Sequence, residues 1–169
     1  MLALKSGKSI RFEEEKTRPM GRGASGVRGI RLKNDSDEVI GMVSVNDMDA
    51  NILVVSENGY GKRSSLDGYR ITNRGGKGVK TISVTEKTGE LVSVKSVSDS
   101  DDLMIINKSG IAIRMEVENL RVMGRATQGV KLINLKSNDQ IAAVAKVMKD
   151  DETIEDVDDI EVSDGAVIE

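Results

Sequence analysis

Three stretches of the sequence place arginine on glycine-containing turns in the same order. They are RPMGRGASGVR at 18–28, RITNRGGKGVK at 70–80 and RVMGRATQGVK at 121–131, and we call them the first, second and third turns. Each reads Arg, three residues, Arg, three residues, Gly-Val and a final Arg or Lys. The copies begin 52 and 51 residues apart, which marks a long internal repeat. Cations on a glycine-containing turn suit the binding of phosphate groups.

Stacking the three copies produces four columns of basic residues. The columns are Arg11, Arg63 and Arg114; Arg18, Arg70 and Arg121; Arg22, Arg74 and Arg125; and Arg28, Lys80 and Lys131. A repeat that only copies a solvated face would interchange Lys, Arg, Glu and Gln, whereas the first three columns are Arg in every copy. Arginine suits bidentate phosphate contacts, so we predict that the turn columns bind phosphates. For the column at Arg11, which lies on a predicted strand, phosphate contact and coverage of apolar surface both remain open.

The glycine that precedes the valine, at Gly26, Gly78 and Gly129, has two interpretations. Glycine tolerates a positive φ, so successive backbone N–H groups can turn towards an anion. The same freedom also serves a tight turn between repeat units, and the sequence leaves both open. Residues 21–26 also match the dinucleotide pattern G-x-G-x-x-G, but that motif needs a preceding strand and a following helix, and neither is predicted here.

Two residue types are missing from the sequence, and their absence limits the chemistry. The chain has no histidine and no cysteine, which removes the commonest general base and metal ligand together with thiolate nucleophiles and disulfides. We therefore predict no catalytic site, metal site or cofactor of its own. No apolar run approaches the ~20 residues of a transmembrane helix. We expect a cytoplasmic protein without membrane contacts.

The net charge of −3 conceals a division between body and tail. Ten of the 28 acidic residues lie from Asp150 onwards, where no Lys or Arg occurs. Residues 1–149 therefore carry 18 acidic and 25 basic residues, a net charge of +7. Such an asymmetry indicates a body that binds a polyanion and, at 150–169, an acidic tail that is disordered in isolation.

Each repeat unit is predicted to contribute four short β-strands. Runs rich in Val and Ile alternate with polar loops and with Ser-Gly or Asn-Gly turns, and only 141–148 could pass as a helix. The counterparts of that segment favour a strand. The third strands of the units are predicted at 27–32, 79–84 and 130–135. The result is an all-β, propeller-like array of about three four-stranded antiparallel blades, at about 1–49, 50–100 and 101–149. Because aromatic residues are only 2% of the chain, we expect an aliphatic core shared between neighbouring blades.

Three segments carry a resemblance to a known family. NILVVSENGYGKRS at 51–64, NRGGKGVKTI at 73–82 and VMGRATQGVKLI at 122–133 resemble the C-terminal domain of the DNA gyrase A subunit. The resemblance extends over about residues 1–148. It implies a β-pinwheel of about six four-stranded blades with strand exchange between blades, of which this chain matches the last three and the acidic tail. The chain would then be a fragment that lacks the family's catalytic tyrosine.

The box motif of that family reads Q-[RK]-R-G-G-K-G. Its last five positions are kept in the second turn, whose box-like residues are Thr72, Asn73, Arg74, Gly75, Gly76, Lys77 and Gly78. The first two positions differ, and the family's box usually lies on the first blade rather than the fifth. The resemblance therefore transfers DNA contact to Arg74 and Lys77 but not the full role of the box.

The function implied by the resemblance is the wrapping of duplex DNA around a basic rim. The parent enzyme joins the gyrase A core and the B subunit in an A₂B₂ assembly, and it introduces negative supercoils with ATP and magnesium bound by other domains. The residues agree with a duplex partner, because single-strand grooves stack bases on aromatic side chains and only Phe12, Tyr60 and Tyr69 are present. The alternatives are the C-terminal domain of topoisomerase IV and a protein-interaction propeller.

Overall fold

The computed structural model describes residues 1–136 and 138–148. They contain two single-turn 3₁₀ segments, Glu14–Lys16 and Leu66–Gly68, and no helix among them is long and apolar enough to span a membrane. The strands are β1 (Leu2–Leu4), β2 (Lys8–Ile10), β3 (Val39–Met42), β4 (Asn51–Ser56), β5 (Tyr60–Ser65), β6 (Val79–Lys80), β7 (Leu91–Val97), β8 (Asp101–Asn107), β9 (Ala112–Glu116), β10 (Val130–Lys131) and β11 (Ile141–Met148). The all-β prediction is confirmed, including a strand at 141–148. The predicted acidic tail at 150–169 lies outside the described residues.

The strands pair in three antiparallel sheets, one for each repeat unit. The first sheet has the order β3-β1-β2-β6, the second β10-β5-β4-β7 and the third β11-β8-β9. The fourth strand of the first sheet comes from the second unit, and that of the second sheet comes from the third unit. The strand exchange implied by the family resemblance is therefore confirmed. Within the described residues, β9 has no partner strand on its outer edge.

The predicted third strands are the part of the secondary structure that was wrong. Only two residues of each of the segments 79–84 and 130–135 are strand, and 27–32 is irregular. The two exchanged strands form by pairing with the preceding hairpin, Val79 with Ser9 and Val130 with Gly61. The segment 27–32 pairs with none of the three sheets in the described residues, so it lacks the partner that a strand requires.

Strand β4 lies between two hydrophobic clusters and is buried on both faces. Ile52 and Val54 pack in a cluster shared by the first and second sheets, while Leu53 and Val55 pack in a cluster shared with the third sheet. The alternation follows from the two-residue period of a strand. Each of these fully buried side chains contributes about 1.5–3 kcal/mol of transfer free energy. The expectation of an aliphatic core shared between blades is confirmed.

Candidate nucleic-acid interface

The second and third turns each lie against the hairpin of the preceding unit. Thr72 N donates to Arg11 O at 2.9 Å, and Met123 N donates to Arg63 O at 2.8 Å. These equivalent bonds hold each turn beside the strand that receives its exchanged residues. The repeat in the sequence is thus a repeat in three-dimensional contacts, and the turns are carried by rigid sheet edges.

Two of the repeated glycines are required by the close approach of the backbones at these exchanges. Gly78 and Gly129 have φ values of 68° and 79°. A Cβ atom on Gly78 would collide with Ser9 O, and one on Gly129 would lie 2.5 Å from Gly61 O. Any side chain would displace the exchanged strand from its partner. The structure therefore supports the interpretation that these glycines are needed for a tight turn between repeat units.

The central arginine of the second and third turns connects each turn to the one before it. Arg74 donates from Nε to Lys16 O at 2.9 Å and from Nη1 to Arg28 O at 3.2 Å. Arg125 donates from Nη1 to Lys80 O at 2.8 Å. Since a guanidinium has five N–H donors, each arginine keeps donors for a further acceptor. The three turns consequently form one continuous row.

Most of the predicted site residues lie exposed along this row. Eight of them have neither an ion pair nor a side-chain hydrogen bond within the part of the chain that the structure describes. These exposed turn cations are Arg18, Arg22, Arg28, Arg70, Lys77, Lys80, Arg121 and Lys131. They are distributed over all three turns, so positive charge runs along the whole row. Such cations can neutralise phosphates and release the counterions condensed on a nucleic acid.

The box-like residues at 72–78 use their backbone to attach to the first unit. Gly75 N donates to Gly29 O at 2.5 Å, which fixes the glycine pair against the end of the first turn. A cavity of about 210 Å³ opens beside the turn, and Arg70 and Lys77 are among its lining residues. The second turn therefore offers two cations around one recess.

The strand column differs from the turn columns in its surroundings. Arg63 is only 7% exposed, donates from Nε to Leu120 O, and forms an ion pair with Asp99. Arg11 is half-buried and lies 3.4 Å from Leu66 O. Both side chains reach from one unit into the next. Because the guanidinium of Arg63 is buried and engaged, we omit Arg63 from the proposed interface, for which the strand column made it a candidate.

The third member of the strand column, Arg114, has a partner in its own unit. Its Nε donates to Asp102 Oδ2 at 2.7 Å, and its side chain is 49% exposed. The other carboxylate oxygen of Asp102 is buried without a partner in the described residues. The charge of Arg114 is therefore needed beside this carboxylate, and we omit Arg114 and the engaged Arg11 from the proposed interface as well.

A buried lysine supports the third turn from behind. Lys62 is 1% exposed and donates from Nζ to Ser64 Oγ at 2.9 Å and to Gly124 O at 2.8 Å. Burial, with the nearby charge of Arg125 as a smaller cause, lowers the pKa of Lys62 to about 8. Lys62 thus positions the turn rather than offering a surface charge.

Sequence reasoning missed Lys62, although the repeat contained a signal. In the stacked copies it occupies the position of Ile10 and Ile113, both apolar. A lysine at a position that is otherwise apolar indicates a buried cation with a specific acceptor.

Tyr69 belongs to the core and not to the surface of the row. It is 1% exposed, its hydroxyl lies 2.6 Å from Thr81 Oγ1, and burial raises the pKa of that hydroxyl. Its role in the described structure is to pack between the first and second sheets.

Known proteins resemble this chain over most of its length. A family model described as DNA gyrase C-terminal domain, beta-propeller, matches residues 5–46, 50–98 and 101–148. The DNA gyrase A subunit of Chlamydia muridarum (strain MoPn / Nigg) is 41% identical over 169 residues, which is 100% of this chain and 20% of that protein. The chain thus spans about a fifth of the length of this relative.

Solved structures give the same result for the fold. A structure of a DNA gyrase A C-terminal domain has a TM-score of 0.79 and 28% identity, with 87% of this chain and 50% of that chain covered. A crystal structure of the C-terminal domain of DNA topoisomerase IV has a TM-score of 0.81 at 21% identity, with 87% and 46% covered. The second likeness concerns the fold alone.

Proposed function

The chain belongs to the DNA gyrase C-terminal domain family, a β-propeller family, and we propose that it binds duplex DNA without sequence preference and wraps it along its three turns. The contacts come from the eight exposed turn cations, together with the remaining donors of Arg74 and Arg125. In the parent enzyme, the wrapped segment is presented to the gyrase A core for ATP-dependent strand passage with the B subunit in the bacterial cytoplasm. ATP and magnesium act there through other domains.

The observation that carries the proposal is the continuous row of unpaired cations. Contacts from Lys and Arg to phosphate fix position without reading bases, which suits wrapping over any sequence. Smoothly bending 20–30 bp by 40–90° costs about 1–6 kcal/mol, so several simultaneous phosphate contacts are needed to offset it. A row spread over three units supplies them along a single path.

The test compares two triple variants of equal charge change. Arg18, Arg70 and Arg121→Gln removes three exposed turn cations, and Lys87, Lys95 and Lys108→Gln removes three cations away from the turns. Duplex binding is measured by fluorescence anisotropy across a salt series. Because each phosphate contact contributes about −0.9 to the slope of log K against log salt, we expect the turn variant to lose about 2–3 units of slope. We expect the control to keep the slope of the parent chain.

Wrapping is measured separately, by relaxing closed circular DNA in the presence of the protein and determining its linking number. The parent chain should shift the linking number, and the turn variant should not. Equal salt slopes for both triple variants, or no salt-dependent binding by the parent chain, would overturn the proposal and favour a protein-interaction propeller.

A further inference from the structure

A second cavity lies at the junction of the first and second units, and its lining includes Lys80 from the repeated columns. It has a volume of about 330 Å³ and is enclosed by the β1–β2 hairpin, the loop at 33–37 and the residues after β6. Its lining includes three lysines from three different segments, Lys8, Lys33 and Lys80. The cavity therefore brings together cations that are far apart in the sequence.

Two of these lysines are forced together by strand exchange. Lys8 and Lys80 are directly opposite partners on the antiparallel strands β2 and β6. Like charges in such a pair destabilise a sheet. Among the described residues, no carboxylate lies within ion-pair distance of Lys8, Lys33 or Lys80. An anion seated between the ammonium groups would convert the repulsion into attraction.

The acidic residues at the cavity already have partners. Asp37 accepts hydrogen bonds from Ser6 Oγ at 2.7 Å and from Lys33 N at 2.9 Å, among others. Burial opposes ionisation of Asp37, but these bonds outweigh it and hold the pKa of that carboxyl below its usual value. Glu90 pairs with Lys5 at 3.2 Å. The two carboxylates stabilise the loop and strand around the cavity, and neither of them forms an ion pair with Lys8, Lys33 or Lys80.

The junction of the second and third units lacks this arrangement. The strand partner of Lys131 there is Tyr60, at the position of Lys8. Thr85 stands at the position of Lys33. Lys87 lies over the ring of Tyr60, with Nζ 5.4 Å from the ring centroid. At the second junction an aromatic ring thus replaces one lysine of the strand pair, whereas at the first junction three lysines line one cavity.

We propose that the cavity at the first junction binds a phosphate group between the ammonium groups of Lys8, Lys33 and Lys80. Lysine acts as a compact point charge, which suits a tetrahedral anion approached from several sides. This phosphate has two candidate sources. One is the backbone of wrapped DNA, and for that source the inference rests on the proposed function. The other source is a free phosphate ion, which has the same chemistry.

The experiment begins with inorganic phosphate as the probe and amide NMR shifts as the measurement. Phosphate should shift the amides of the three lysines and of neighbouring residues in a saturable way. Lys33→Gln should weaken this binding by about tenfold, the loss expected for one charge-assisted hydrogen bond. The matched control is Lys136→Gln, at the equivalent position of the third unit, and it should leave the binding unchanged. Lys8→Gln should unfold at a higher temperature than the parent chain in phosphate-free, low-salt buffer.

A salt series with duplex DNA then identifies the source. If the cavity holds a backbone phosphate, Lys33→Gln should reduce the salt slope by about 0.9 relative to Lys136→Gln. If it holds a free phosphate, the two slopes should be equal while the NMR difference remains, and either result supports the phosphate site. Absence of saturable shifts in the parent chain, or equal weakening by both variants, overturns it. That failure would leave the loss of DNA binding in the triple turn variant intact, so the two proposals fall separately.

Discussion

The strand arginines and the outer turn arginines are repeated equally well in the sequence, but their surroundings differ in the structure. Arg63 is buried and bonded across a unit boundary, whereas Arg70, seven residues later, is exposed and has no side-chain partner in the described residues. Both positions are Arg in all three units. An arginine that recurs in every unit therefore serves one of two purposes, a contact between units or a contact with a ligand.

The largest effect on stability is expected from the replacement of the buried Arg63. Arg63→Ala should lower the free energy of unfolding by about 2–4 kcal/mol, because it removes the bond to the carbonyl of buried Leu120 and the ion pair with Asp99, and it leaves a void. Urea denaturation gives the value. Arg70→Ala, the matched exposed variant, should change the unfolding free energy by less than about 0.5 kcal/mol. Similar losses in the two variants would remove the distinction between the columns.

The buried cation Lys62 should make the stability of the protein depend on pH. The folded pKa of Lys62, about 8, lies below its ordinary value of 10.5, so the unfolded chain binds more protons between these pH values. The free energy of unfolding should therefore rise by roughly 1–2 kcal/mol between about pH 7.5 and 9.5. Lys62→Met keeps the apolar stem and removes the ammonium group. The difference between the two urea-derived profiles should show this rise, and parallel profiles would contradict it.

The sequence allowed the architecture to be predicted because the repeat determines it locally. Alternating apolar residues and the glycines of three hairpins indicated the strands, and the exposure of Arg18, Arg70 and Arg121 followed from their place on polar turns. The partners across unit boundaries were not accessible in the same way. Periodicity reports which side of a strand a residue occupies, but Leu120 as the acceptor for Arg63 is set by how two sheets stack.

A smaller effect is expected at Arg11, where the contacts are longer. Its distances to Leu66 O and Tyr69 O, 3.4 and 3.5 Å, lie at the weak end of hydrogen bonding. Arg11→Ala should therefore cost about 1 kcal/mol in unfolding free energy, clearly less than Arg63→Ala in the same urea assay. An equal loss of unfolding free energy for Arg11→Ala and Arg63→Ala would mean that burial does not determine how much each strand arginine contributes to stability.

Arg125 combines the two classes of arginine, because it bonds to another turn and also lies in the proposed interface. Its bond to Lys80 O connects two turns at the surface, so Arg125→Ala should cost only about 0.5–1 kcal/mol in unfolding free energy. Arg22, the equivalent residue of the first turn, has no such bond in the described residues, and Arg22→Ala should leave stability unchanged. Both variants should reduce the salt slope of DNA binding by about one phosphate contact. If Arg125→Ala lowers the unfolding free energy but leaves the salt slope of DNA binding unchanged, Arg125 belongs with the strand arginines. Its bond to the neighbouring turn would then be enough to explain why the residue is repeated.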